Sequence, residues 1–136
     1  MVVIDTTVWI DFFNNIETPQ TAWLDMALDQ RRLGLTDLIL CEILQGVRNE
    51  QQAAETLQEL SKFEILPMGG VDLAIMAAKH YRTLRAQGRM VRKTADCLIA
   101  TYCLMHDHAL LHNDRDFDAF EQSLGLRVVH PKNDQP

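Results

Sequence analysis

Short, mostly apolar runs recur along this chain at Val2–Ile4, Leu33–Leu35, Glu64–Leu66, Ala109–His112 and Leu126–Val129, with helical periodicity between them. Runs of this length are too short to make a helix worth burying and read as strands. Strands without polar alternation suit a parallel sheet covered on both faces. The pattern predicts an α/β protein: an α/β/α, Rossmann-like sandwich around a mostly parallel sheet of about five short strands.

The intervening segments carry their own signals. A short helix through Trp9, Phe12 and Phe13 follows the first strand. Thr18-Pro19 joins a capping hydroxyl to a proline at the first helical position, predicting a helix to Gln30 or Arg31 with Trp23, Met26 and Ala27 inward. Thr36 or Asp37 caps the helix containing Glu42, and Glu50 to Lys62 forms another with Ala54, Leu57 and Leu60 at core spacing. Val71 to Gln87 is a long amphipathic helix with Leu73, Ala77, Tyr81 and Leu84 on one side and Gly88 as its cap. Thr94 caps a last long helix, to about Met105.

The 136 residues suffice for one domain with a real core, read here as residues 1–130 with a flexible tail at 131–136. No apolar run approaches bilayer length, and the opening lacks a signal-peptide layout. The three cysteines, Cys41, Cys97 and Cys103, lie in apolar helical contexts without ligand spacing. An odd number of buried-looking thiols fits a reducing cytoplasm better than a disulfide framework.

Acids stand where such a chain turns. Asp5 follows the first strand, Glu42 lies within Leu38–Leu44, Asp96 opens the helix after Thr94, and Asp114 and Asp116 follow the fourth strand. A carboxylate inside or just beyond an apolar segment is costly unless a cation meets it. Singly, each has a plainer role: Asp5 as a helix cap, Asp96 as a first-turn acid, and Asp114, Asp116 and Asp118 as turn residues. Glu42, flanked on both sides by aliphatics, has no local structural role. In parallel sheets ligands bind beyond the carboxyl ends of the strands. Asp5 and Asp114 therefore meet if strands one and four are neighbours. The simplest shared partner is a divalent metal, since hard cations such as Mg²⁺ or Mn²⁺ prefer carboxylate and water oxygens. Asp96, near a helix start, is expected to stay ionised. No Gly-rich phosphate loop or Ser–His–Asp pattern is present, and His106 with His108 reads as a helix end.

The net charge of -6 argues against a nucleic-acid partner until its distribution is considered. Between Asp72 and Asp96 there is no acid, yet Lys79, Arg82, Arg85, Arg89, Arg92 and Lys93 all fall there, six of the thirteen basic residues. A phosphate backbone responds to local potential rather than total charge.

Taken together these segments resemble the PIN-domain ribonucleases, specifically the VapC-type toxins of prokaryotic toxin–antitoxin pairs, over nearly the full length. Ile4–Phe12, with Asp5 and Thr6, resembles the first motif, and Ile39–Gly46, with Glu42, the second. Ala95–Ala100, with Asp96, resembles the third, and Leu110–Phe117, with Asp114 and Asp116, the fourth. His112 stands where the family often has Thr or Ser, which leaves open whether His112 or Asn113 assists water or phosphate.

The resemblance implies a Mg²⁺- or Mn²⁺-dependent endoribonuclease. Asp5, Glu42, Asp96 and Asp114 would be metal ligands, with Asp116 as an alternative or supplementary acid and Thr6 as a hydroxyl near metal or phosphate. Arg82, Arg85, Arg89, Arg92 and Lys93 would guide RNA to the acids. It further implies a homodimer silenced by a VapB-type antitoxin, with Val8–Phe13 serving that interface or simply packing in the core. Two rivals remain. A receiver-like phosphoacceptor module lacks its lysine after the last strand, and a PIN-like scaffold would bind RNA or a partner without cutting.

Overall fold

β1 (Val2–Ile4) runs through the middle of the molecule, and all three of its side chains are fully buried. In the computed structural model, which describes residues 1–136, β1 pairs in parallel with both β2 (Leu33–Thr36) and β4 (Ala109–Leu111). β3 (Glu64–Leu66) joins the outer side of β2, giving the order β3-β2-β1-β4. Gly34 permits that last pairing, because a Cβ there would lie 2.8 Å from the Glu64 carbonyl oxygen. The run Leu126–Val129 forms a single parallel bridge, Val128 to Leu110, rather than a full strand. Strands one and four are therefore neighbours, as the acids require.

Helices flank the sheet, completing the α/β/α arrangement. α1 (Thr6–Phe13), α2 (Pro19–Ala27) and α3 (Asp37–Gln45) pack together; α4 (Glu50–Leu60) follows, and α5 (Val71–Ala86) packs on α6 (Thr94–Met105). A 3-10 turn (Arg115–Phe117) leads into α7 (Asp118–Leu124). Thr18 caps α2 through a reciprocal bond pair with Thr21, and Thr36 rather than Asp37 caps α3 through the Ile39 N–H. Trp9 is fully buried, stacked on Phe13 at 5.9 Å and against Phe63 at 4.9 Å, so it packs as core. Burial on this scale stabilises by about 1.5–3 kcal/mol per large side chain.

Several local expectations are corrected. α2 stops at Ala27, and Met26 is exposed because the inward stripe runs through Trp23, Leu24 and Ala27. Ala54 and Leu57 are exposed as well, since α4 reaches the core through Leu60 in its last turn. Thr94 is the first residue of α6 rather than its cap, and Lys93 precedes it without a side-chain cap bond. Cys41 is exposed, whereas Cys97 and Cys103 are buried; all three are free. Near the end of the chain, the Trp23 indole donates to the Asp134 carbonyl at 2.5 Å. No helix is long and apolar enough to cross a membrane.

Candidate metal centre

The β1–β4 register (Val3 opposite Leu110, Ile4 opposite Leu111) brings the two chain exits side by side. Asp5 leaves β1 there and donates its backbone N–H to the Leu111 carbonyl at 2.9 Å. It caps α1, its Oδ2 accepting the Thr7 N–H at 3.2 Å and the Thr7 hydroxyl at 2.7 Å. Thr7 Oγ1 also accepts the Asn113 N–H at 3.2 Å, tying the loop after β4 to the start of α1. Asp5 is only 3% exposed, and burial pushes its carboxyl up to about 6 against the pull of the Thr7 bonds, with Glu42 adding repulsion.

Glu42 sits on α3, half-buried, with Oε1 accepting the Thr6 hydroxyl at 2.7 Å. Thr6 thus orients a carboxylate. Asp96, the third residue of α6, is 5% exposed, and its Oδ2 is buried without any hydrogen-bond partner. Its carboxyl is pushed up to about 7, first by burial and then by Asp5, Asp114 and Glu42, with Lys93 offsetting part of this. The expectation of an ordinarily ionised Asp96 is therefore corrected. The helix-start dipole falls off within one turn, and it loses here to desolvation and three nearby acids.

Asp114 caps the 3-10 turn, its Oδ1 accepting the Asp116 N–H at 2.9 Å. One carboxylate oxygen from each of Asp96, Asp114 and Asp116 lies within 4.8 Å of the others. Asp116 is thus part of the tightest convergence, beside which Asp5 and Glu42 add charge. His112 is almost fully buried against Phe117, ring centroids 4.8 Å apart. Its Nδ1 accepts the Asp114 N–H at 3.1 Å, which assigns the ring proton to Nε2, and burial lowers its basicity. His112 therefore braces Asp114. Asn113 is exposed and contributes its backbone N–H.

The basic stretch divides by role. Arg82 is exposed, and Arg85 lies over the Tyr81 ring at 5.7 Å. Arg89 reaches α7, donating to Ser123 Oγ at 3.1 Å and Gln122 Oε1 at 2.5 Å. Arg92 Nη2 lies 3.4 Å from Asp116 Oδ1. Lys93 is exposed at the head of α6.

The donors fit a hard divalent cation. All are carboxylate oxygens, one buried oxygen has no partner, and the like charges are offset only in part, by Arg92 and Lys93. Sequence reasoning missed Thr7. A hydroxyl two residues after a capping Asp is a common local turn partner, and nothing in the pattern shows its second bond, across to Asn113. The Arg92–Asp116 pair was also missed, because it joins segments distant in sequence.

The PIN-domain family model matches residues 2–122. The chain therefore belongs to the PIN-domain family. It is 32% identical over 134 residues to Ribonuclease VapC11 of Mycobacterium tuberculosis, covering 95% of this chain and 98% of that protein. A VapC ribonuclease of Mycobacterium bovis matches to the same extent, which places the chain within the VapC ribonuclease family. Among solved structures, the fold is similar to VapBC2 from Rickettsia felis bound to a promoter DNA fragment, with a TM-score of 0.75, 17% identity, and 95% of this chain and 98% of that one covered. FitAcB from Neisseria gonorrhoeae gives a TM-score of 0.74 at 21% identity, covering 97% and 99%. The VapBC-5 toxin–antitoxin structure from Mycobacterium tuberculosis gives 0.66 at 26% identity, covering 94% and 96%.

Proposed function

We propose that this chain is a Mg²⁺- or Mn²⁺-dependent endoribonuclease, the toxin of a type II toxin–antitoxin pair acting in the cytoplasm. The observation that carries the reading is the buried carboxylate cluster in which Asp96 Oδ2 has no partner, and burial with mutual repulsion pushes Asp5 and Asp96 up to about 6 and about 7. Membership of the VapC ribonuclease family supports RNA as substrate and a VapB-type antitoxin as partner.

Asp96, Asp114 and Asp116 would hold the cation directly, with Asp5 and Glu42 as direct or water-mediated ligands. When bound, a divalent cation lowers the pKa of an attacking water and neutralises charge on the scissile phosphate. The chain's own residues prepare that event. Thr7 orients Asp5, Thr6 orients Glu42, and His112 and the Asp116 N–H fix Asp114 from its two sides. Arg82, Arg85, Arg92 and Lys93 raise the local potential so that an RNA backbone approaches an otherwise repelling pocket. In-line hydrolysis would leave 5′-phosphate and 3′-hydroxyl ends. Three free thiols, one exposed, fit a reducing compartment.

The test is to map new RNA 5′ ends in cells briefly expressing the chain, against an Asp5→Asn control. Discrete 5′-phosphate ends that vanish with Asp5→Asn are the expected result. With both proteins folded and expressed and no antitoxin present, an unchanged RNA population would favour a non-cutting scaffold.

A further inference from the structure

The segment between α5 and α6 is a strap pinned on both sides of one solvent-exposed guanidinium. Gly88, at φ +76°, ends α5 in the left-handed region that favours glycine. Arg89 then fastens the strap to α7 through Ser123 and Gln122. Val91 is 4% exposed and anchors it in the core, while Met90, 77% exposed, points outward. Lys93 hands the chain to α6. Between Val91 and Lys93 stands Arg92, and its one polar partner is Asp116.

That pair is lopsided. The Asp116 side chain is 12% exposed and held among the converging acids, whereas Arg92 is 70% exposed. At 3.4 Å the contact is an ion pair longer than a well-formed charged hydrogen bond of about 2.7–2.9 Å. A long contact whose basic side is solvent-exposed is individually weak, so the acid is fixed and the base is free to leave. A cation on Asp96, Asp114 and Asp116 would sit beside the same carboxylate, and two positive charges there repel.

We propose that Arg92 is a movable counter-charge of the carboxylate cluster. It rests on Asp116 when metal and RNA are absent, opposes cation binding there, and shifts to the RNA phosphate when RNA binds. Arg89 is its positioning residue, holding the strap so that the guanidinium reaches Asp116. The inference rests on the reading of the cluster as a metal site and goes beyond it by giving one residue opposite effects on the two ligands. A general phosphate-guiding arginine strengthens RNA binding and leaves metal affinity alone. Arg92 strengthens RNA binding and weakens metal binding.

The experiment uses the full chain, titrated with Mn²⁺ alone by calorimetry, and separately with a short unstructured oligoribonucleotide in chelator. In water a unit charge about 4 Å away scales an affinity about fivefold, and a divalent ion about twice as far off by a similar factor. Arg92→Gln is expected to bind Mn²⁺ roughly fivefold to tenfold more tightly than the parent, and the oligoribonucleotide several-fold more weakly. Arg92→Lys keeps the charge and keeps the parental Mn²⁺ affinity. Arg89→Ala loosens the strap and shifts Mn²⁺ affinity in the same direction as Arg92→Gln, by less. Arg85→Gln, whose guanidinium lies on Tyr81, weakens RNA binding with Mn²⁺ affinity unchanged. Parent and Arg92→Gln binding Mn²⁺ equally well would overturn the proposal while leaving the metal site standing. A parent chain that binds no Mn²⁺ would overturn both.

Discussion

The two ends of the parallel sheet treat acids in opposite ways. At the amino end, Glu64 opens β3 and meets Arg32, just ahead of β2, through contacts of 2.5 and 2.7 Å. The guanidinium draws the Glu64 carboxyl below its ordinary range. At the carboxyl end, Asp5 and Asp96 are buried among other acids and pushed up to about 6 and 7. One end is neutralised by the chain itself. The other carries only Arg92 and Lys93 at its rim, and the buried Asp96 oxygen faces no donor at all. A fold stabilised for its own sake would pair both ends, so the difference supports the cation site proposed above.

The largest expected effect breaks this contrast at its most buried point. Asp96→Asn should reduce RNA cleavage by at least about a hundredfold, since even residues that only orient metal ligands are worth about 10–100-fold. The same substitution should raise the melting temperature of the metal-free protein, because it removes a carboxylate that burial and the neighbouring acids disfavour and Lys93 offsets only in part. Initial rates and thermal unfolding in chelator check the two halves together.

A second prediction concerns pH. The carboxyls of Asp5 and Asp96 stand at about 6 and 7 in the folded protein, against about 3.9 in an unfolded chain. Between these values the folded state holds more protons than the unfolded state, so stability falls as pH rises. Each group contributes a slope of up to about 1.4 kcal/mol per pH unit in that window. Urea unfolding of metal-free protein should therefore show lower stability at pH 7.5 than at pH 5.5, and Asp96→Asn should flatten the difference. Saturating Mn²⁺ should restore stability at the higher pH.

A smaller effect is expected of Thr7→Val, which leaves the acids in place and removes the hydroxyl that bridges Asp5 and the Asn113 N–H. Mn²⁺ affinity should fall by about tenfold, in the range known for groups that orient metal ligands. The smallest lies at the opposite end of the sheet. Glu64→Gln should leave cleavage and Mn²⁺ affinity unchanged and barely move the melting temperature, as exposed pairs contribute little. A large loss of activity there would erase the distinction between the two ends.

Much of this contrast was legible in the sequence for a physical reason. Asp5, Glu42, Asp96 and Asp114 interrupt or follow apolar runs, and burial of a carboxylate is conspicuous wherever it occurs. Strand positions were legible too, because β1 and β4 lack polar alternation. What stayed hidden depends on packing across distant segments. Asp116 read as supplementary because its convergence with Asp96 requires the turn after β4 to fold back over α6. Arg89 read as an RNA contact, and its engagement with Gln122 and Ser123 is visible only in three dimensions. Leu126–Val129 has a strand's composition, yet it meets β4 in one bridge, and composition alone does not determine how far a ladder extends. Met26 and Leu57 are apolar residues off the inward stripe, and single exposed hydrophobics of that kind are ordinary.

The most direct test of the central claim is Mn²⁺ titration of the metal-free protein at pH 7 by calorimetry in buffers of different ionisation enthalpy. A cation entering a cluster that shares protons must displace them, so binding should release roughly half a proton per ion, mostly from Asp96. Asp96→Asn should abolish both the binding and the release. Absence of Mn²⁺ binding, or equal binding by Asp96→Asn without proton release, would contradict the assignment of this cluster as the metal centre.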